Sequence, residues 1–211
     1  MKTENDLVNF FKNEHDVLLS CFEKHFLIAK SSYNWNSLYS ICKSQFEENH
    51  HAKEEQFIFD AVRNNSKIKS GGPLCTYFFD FHMTNPSLRR AMETTSKLTD
   101  LNLEPEWSLQ MKEIRILNLP LVIPGEDHEA GRIILRGIES QFSRGPSDQI
   151  HLKIESLFKT YIDIQKAHFD REENCFFIMC KQLISPEKWE QIYVKMCSQY
   201  PIISDTNLTS S

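Results

Sequence analysis

Apolar residues recur along most of this chain with the period of an α-helix. From residue 4 to 29, Leu7, Val8, Phe11, Leu18, Leu19, Phe22 and Phe26 fall at helical spacing and share one face. Ser31-Ser-Tyr-Asn34 reads as a turn, with Asn34 the expected N-cap of a second helix over 35–65. The stripe of that helix is Leu38, Cys42, Phe46, Phe57, Ile58 and Ala61, and Asn64-Asn-Ser-Lys and Gly71-Gly-Pro73 stop it. A third helix is expected from Pro124 to Phe142 on Ile134, Leu135 and Ile138, with Gly131 permitting close approach of a neighbour. Arg144-Gly-Pro-Ser147 is a stop and a restart, Ser147 being the expected N-cap of a long fourth helix over 148–184. Leu157, Phe158, Tyr161, Ile164, Cys175, Phe176, Met179 and Leu183 form its stripe. Ser185-Pro186 opens a short fifth helix to about Cys197, serine at the cap and proline next.

Residues 66–123 break this rhythm. They hold an aromatic run, Leu74 to Phe81, then Asn85-Pro86 and Glu104-Pro105 as openings of two further helices, then the extended apolar segment Leu119 to Pro124. A connection of this length carries its own structure or a function. The expected fold is therefore all-α: an up-down four-helix bundle with a long insertion (66–123) between helices 2 and 3 and a short C-terminal helix. Residues 1–199 form one domain on this reading, and 200–211 a polar, disordered tail.

Composition changes this picture little. Apolar residues make up 40% and charged residues 25% of the 211 positions, as in an ordinary globular protein. The net charge of −5 speaks against nucleic acid or an anionic membrane surface as the main partner. No apolar run is long enough for a bilayer span, and the acidic N-terminus lacks a leader-like core, so a cytoplasmic protein is expected. None of the six cysteines is in Cys-x-x-Cys spacing, which makes them small buried hydrophobes in a reducing compartment.

The exceptions on the apolar stripes carry the chemistry. His15 lies where the first stripe calls for an apolar residue, and His25 is too far along the axis to share a small site with it. His50 and Glu54 sit at the centre of the second stripe, and His168 and Glu172 at the centre of the fourth, each pair one turn apart on one face. On the same wheel His51 and Glu55 are turned about 100° away. His128 falls on the stripe of the third helix. A buried carboxylate without a partner costs several kcal/mol or takes up a proton. No lysine or arginine is expected on these stripes apart from Arg132 at the edge of the third. Two inward glutamates with four inward histidines therefore call for a pair of metal ions. Imidazole and carboxylate donors without thiolate suit iron, manganese or zinc.

The set His15-Asp16, His50-x-x-x-Glu54-Glu55, Asp127-His128-Glu129-x-Gly-Arg132 and His168-x-x-x-Glu172-Glu173 resembles the hemerythrin-like, or HHE cation-binding, family. That resemblance implies a four-helix bundle around two non-haem iron ions of the Fe–O–Fe type, with manganese or zinc a poorer match. It implies Glu54 and Glu172 as bridging ligands and His15, His50, His128 and His168 as terminal ones. The implied partner is dioxygen or another small diatomic molecule, and the implied role is binding or sensing oxygen, nitric oxide, peroxide or iron. An oxidase, peroxidase-like or nitric-oxide-reducing enzyme is the alternative. The family's oxygen carriers have a fifth histidine four residues from the one on the third helix. Here those positions are Pro124 and Arg132, so His82, His51, Glu129 or water is left to complete the set.

Overall fold

The computed structural model of the chain describes residues 4–63 and 121–204. Among them there is no strand, and the helices are α1 (Glu4–Ser32), α2 (36–63), α3 (Val122–Phe142), α4 (148–183) and α5 (Pro186–Gln199). The predicted features of 66–120, His82 and the run Leu74–Phe81 included, lie outside the described residues, as does the tail beyond Ser204.

Local chemistry sets the helix ends. Ser147 is extended, and its Oγ accepts the N–H of Ile150 at 3.3 Å to open α4. Ser185 accepts the N–H of Lys188 at 3.3 Å, with Pro186 in the first turn of α5, where its missing N–H costs nothing. The cap of α2 is Trp35 rather than the expected Asn34. The preceding turn passes through Tyr33 at φ 54°, and the Asn34 side chain closes a local turn by accepting the N–H of Asn36 at 3.3 Å.

Two helices change winding where the polar residues lie. In α2, an α-helical start (Asn36–Ile41) gives way to wide π-helical turns over Cys42–His51 and Glu54–Phe59, and α-geometry returns at Asp60–Arg63. In α4, Asp148–Arg171 is α-helical, Glu172–Phe176 is π-helical, and Phe177–Leu183 is α-helical again. Such turns are rare and concentrate at functional sites.

Cross-helix pairs fix the register. Lys30 meets Glu155, Lys166 meets Glu23, and His15 meets Glu172, so α1 and α4 run in opposite directions. Tyr39 meets Phe142 and His51 meets His128, which does the same for α2 and α3. The apolar core lies in two blocks. One gathers Leu18, Phe22, Leu38, Phe46, Ile134, Phe158 and Tyr161. The other gathers Phe11, Phe57, Phe59, Phe176, Phe177, Trp189 and Met196. Between them His15, His50, His51, Glu54, His128, His168 and Glu172 form a polar layer, each at most 1% exposed.

Gly131 does what the sequence asks of it. A Cβ there would lie 2.8 Å from both Gln165 Nε2 and Glu47 Oε1, so any larger residue would have to push these two side-chain ends out of their places between α3 and its neighbours α2 and α4. The chain beyond α5 is not wholly a loose tail: Ile203 is 5% exposed and packs into the first block. Cys21, Cys42, Cys175 and Cys180 are buried, as expected, and Cys197 is partly buried. No helix among the described residues is long and apolar enough to cross a membrane.

Candidate metal centre

The six residues picked out by the stripes meet in one place. His15 comes from α1, His50 and Glu54 from α2, His128 from α3, and His168 and Glu172 from α4. One donor atom from each of His15, His50, Glu54 and Glu172 lies within 4.8 Å of the others. The same holds for Glu54, His128, His168 and Glu172, so the two glutamates belong to both groups. Glu54 spans them with its two oxygens: Oε1 is 3.5 Å from His50 Nε2, and Oε2 is 3.3 Å from His128 Nε2. Glu172 Oε2 lies 3.4 Å from both His15 Nε2 and His168 Nε2.

His51 joins them, and this corrects the helical-wheel reading. With His128 and His168 it forms a third group of converging donors, its ring stacked on that of His128 at 4.0 Å. The wheel assumed 100° per residue, whereas Cys42–His51 is wound more widely, which narrows the angle between consecutive side chains. α2 also has α1 on one side and α3 on the other. His50 turns toward Glu14 and His15, and His51 toward His128, so both are buried. The centre therefore holds five histidines and two glutamates, with two histidines in one half and three in the other. Of the other residues considered for the fifth place, Glu129 is engaged by Arg136 at 2.8 Å and Arg132 at 3.7 Å.

Each histidine turns its Nδ1 to a carboxylate. His15 Nδ1 is 2.8 Å from Glu173, His50 3.0 Å from Glu14, His51 2.9 Å from Glu47 and His128 2.8 Å from Glu55. His168 Nδ1 faces Asp127 at 3.4 Å. A carboxylate accepts, so in the four hydrogen-bonded histidines, His15, His50, His51 and His128, Nδ1 carries the proton and Nε2 presents a lone pair to the centre. This is the outer support that metal-ligating histidines almost always have. The supports are in turn held: Glu14 by Lys53, Asp127 by Arg171, Glu55 by Arg132, Glu173 by Lys12, and Glu47 by the Tyr161 hydroxyl at 3.0 Å. Lys53 and Arg171 are thus buried cations that the stripe pattern left out. They neutralise the supports; neither donates a hydrogen bond to Glu54 or Glu172.

These outer residues have a signal in the sequence, adjacent acidic–acidic or acidic–histidine pairs. Glu14-His15, Glu54-Glu55, Asp127-His128 and Glu172-Glu173 are pairs in which one member points into the centre and its neighbour supports a histidine of another helix. Glu47 lies one turn before the histidine it supports.

The inner atoms lack partners. Nε2 of His15, His50 and His51 and all the carboxylate oxygens of Glu54 and Glu172 are buried without a hydrogen bond. Nε2 of His128 and Nε2 of His168 lie within hydrogen-bond distance of each other, at 3.0 Å. Burial holds the Glu54 carboxyl well above its usual range, and the neighbouring Glu172 adds to that. Burial also drives His50 and His128 well below the ordinary histidine value, aided by the imidazoles around them. Glu172 and Glu173 hold His15 above the ordinary histidine value despite its burial, and His168 and His15 hold Glu172 below the ordinary carboxylate value. The clustered imidazoles and carboxylates make a donor set that a metal ion completes. Iron, manganese and zinc fit these donors, and no cysteine enters any of the groups. No family model matches the chain, and neither a curated protein nor a solved structure matches it.

Proposed function

We propose that the chain is a hemerythrin-like protein in which α1–α4 form an up-down bundle around two non-haem iron ions, and that it binds or senses dioxygen or a related small molecule there. The observation that carries this reading is the convergence of five histidines and two shared carboxylates in a buried layer, where the Glu54 and Glu172 oxygens and Nε2 of His15, His50 and His51 have no hydrogen-bond partner. His15 and His50 would hold one ion, His51, His128 and His168 the other, and Glu54 and Glu172 both. His51 would supply the fifth histidine from α2 in place of one on the third helix, which supports the oxygen-binding reading. Such a pair of ions supplies reversible redox chemistry and a coordination place for a diatomic ligand. The two-histidine half has the smaller donor set and is where that ligand would bind.

The protein's own part is to orient and to exclude water. Glu173, Glu14, Glu47, Glu55 and Asp127 fix the imidazole tautomers. Phe11, Phe59, Phe169 and Phe177 stack on or against the histidines and keep the layer apolar around its donors. Purified protein should contain two iron ions per chain and show the near-ultraviolet charge-transfer bands of a coupled ferric pair. The ferrous form should change spectrum reversibly with dioxygen or nitric oxide. Carefully purified protein that takes up no transition metal would sink the reading, and steady turnover with an electron donor would move it to the enzyme class.

A further inference from the structure

The two halves of the centre are braced by different parts of the chain. In the three-histidine half, the supports Glu47, Glu55 and Asp127 are held by Arg132, Tyr161 and Arg171, all within α3 and α4. In the two-histidine half, Glu14 supports His50, and Glu14 is held from outside α1–α4. Its Oε1 accepts the backbone N–H of Ile203 at 3.2 Å, in a buried contact spanning 189 positions of sequence. Next to His50, the Asn49 side-chain amide donates to the carbonyl of Pro201 at 3.2 Å. Lys53, which completes the cradle of Glu14 by donating to Oε1 and, at 2.6 Å, to Oε2, also lies over the Phe10 ring at 5.1 Å. Phe10 meets Tyr193 of α5 edge-on at 5.9 Å. Gln56 is tied to the end of the same helix, donating to Gln199 at 3.1 Å and accepting from the Tyr200 hydroxyl at 2.7 Å.

We propose that Pro201–Ile203 is a strap that positions Glu14 against His50 and so controls retention of the ion in the His15/His50 half. The proposal rests on the metal reading above. Ile203 is buried, so the strap is anchored by its side chain while its N–H serves the carboxylate. Without that N–H, Glu14 keeps Lys53 on both oxygens but loses the fixed backbone donor at Oε1, so the carboxylate can follow the flexible lysine, and the Nδ1 proton of His50 loses a fixed acceptor. The His51/His128/His168 half shares none of these contacts. The strap therefore acts on one ion and not on the other, and α5 is the arm that delivers it.

Two variants test this: Ile203→Pro, which removes the N–H while keeping an apolar side chain, and a chain ending at Tyr200. Iron release to a strong chelator should become biphasic in both. One ion should leave about 10–100-fold faster than in the wild type, the range for loss of an outer support, and the other at the wild-type rate. In metal-free protein, long-range proton–nitrogen correlation spectra should show His50 changing from a single Nδ1-protonated tautomer to a mixture, with His51 and His128 unchanged. Release of both ions at wild-type rates, or equal acceleration of both, would overturn the strap. Wild-type protein without iron would overturn the metal reading instead, and the tautomer spectra would still decide the strap.

Discussion

Replacing Glu54 by methionine should change the sign of its effect on stability according to whether metal is present. Glu54 is fully buried, and neither of its oxygens has a hydrogen bond. An unsatisfied buried polar group costs about 1–3 kcal/mol, and swapping buried ionic groups for apolar ones of similar volume is often stabilising by about 1–4 kcal/mol. In chelator, Glu54→Met should therefore be more stable than the wild type by about 1–3 kcal/mol. With free iron a thousandfold above its dissociation constant, the wild type gains about 4 kcal/mol, and the variant, lacking a carboxylate shared by both halves, forfeits most of it. Urea unfolding followed by circular dichroism, once with chelator and once with ferrous iron under argon, gives both differences. A variant that is less stable by the same amount in both conditions would show that Glu54 is a structural core residue, and the metal argument would fail with it.

Replacing His51 by leucine should weaken binding of the ion held with His128 and His168 while leaving the fold intact, whereas Glu129→Gln should leave iron content at the wild-type value by elemental analysis. Gly131→Ala should destabilise by about 1–3 kcal/mol in chemical unfolding, since the new Cβ would meet Gln165 and Glu47 at 2.8 Å; pushing Glu47 aside should also weaken metal binding through His51. In metal-free protein His128 is held well below its ordinary value of 6.5, so the unfolded chain takes up a proton there that the folded one refuses. Its contribution is present above that pH and is lost as pH falls, so the advantage of His128→Leu should grow by up to about 1.4 kcal/mol per pH unit below it. A gap that stays constant over that range would show that His128 titrates normally.

Much of this was legible in the sequence, for identifiable reasons. The stripes gave the helical segments because each packs one face on the core, and Ser147 and Ser185 announced their helices because a hydroxyl there satisfies an open N–H. Six of the inner residues stood out because a His or Glu in an apolar stripe is conspicuous. His51 was not, because the wheel presumes α-helical winding and α2 abandons it over Cys42–His51. Lys53 and Arg171 were missed because a stripe records which residues face inward, not which long side chains reach back to a carboxylate beside it. The strap was hidden by brevity: Pro201-Ile-Ile203 is too short for a periodic signal, and its grip comes through a backbone N–H that no side-chain pattern encodes.

The supporting carboxylates have a direction. α1 supports a histidine of α2 through Glu14, α2 one of α3 through Glu55, α3 one of α4 through Asp127, and α4 one of α1 through Glu173. The dependence closes on itself, so no three helices contain a finished ligand set. A folding intermediate that lacks any one helix offers imidazoles free to turn and to protonate, and it should bind metal weakly. On the proposed function, metal capture would report complete assembly, and displacing any one helix would weaken the set twice, by withdrawing its own donors and by freeing the histidine it supports on the next helix.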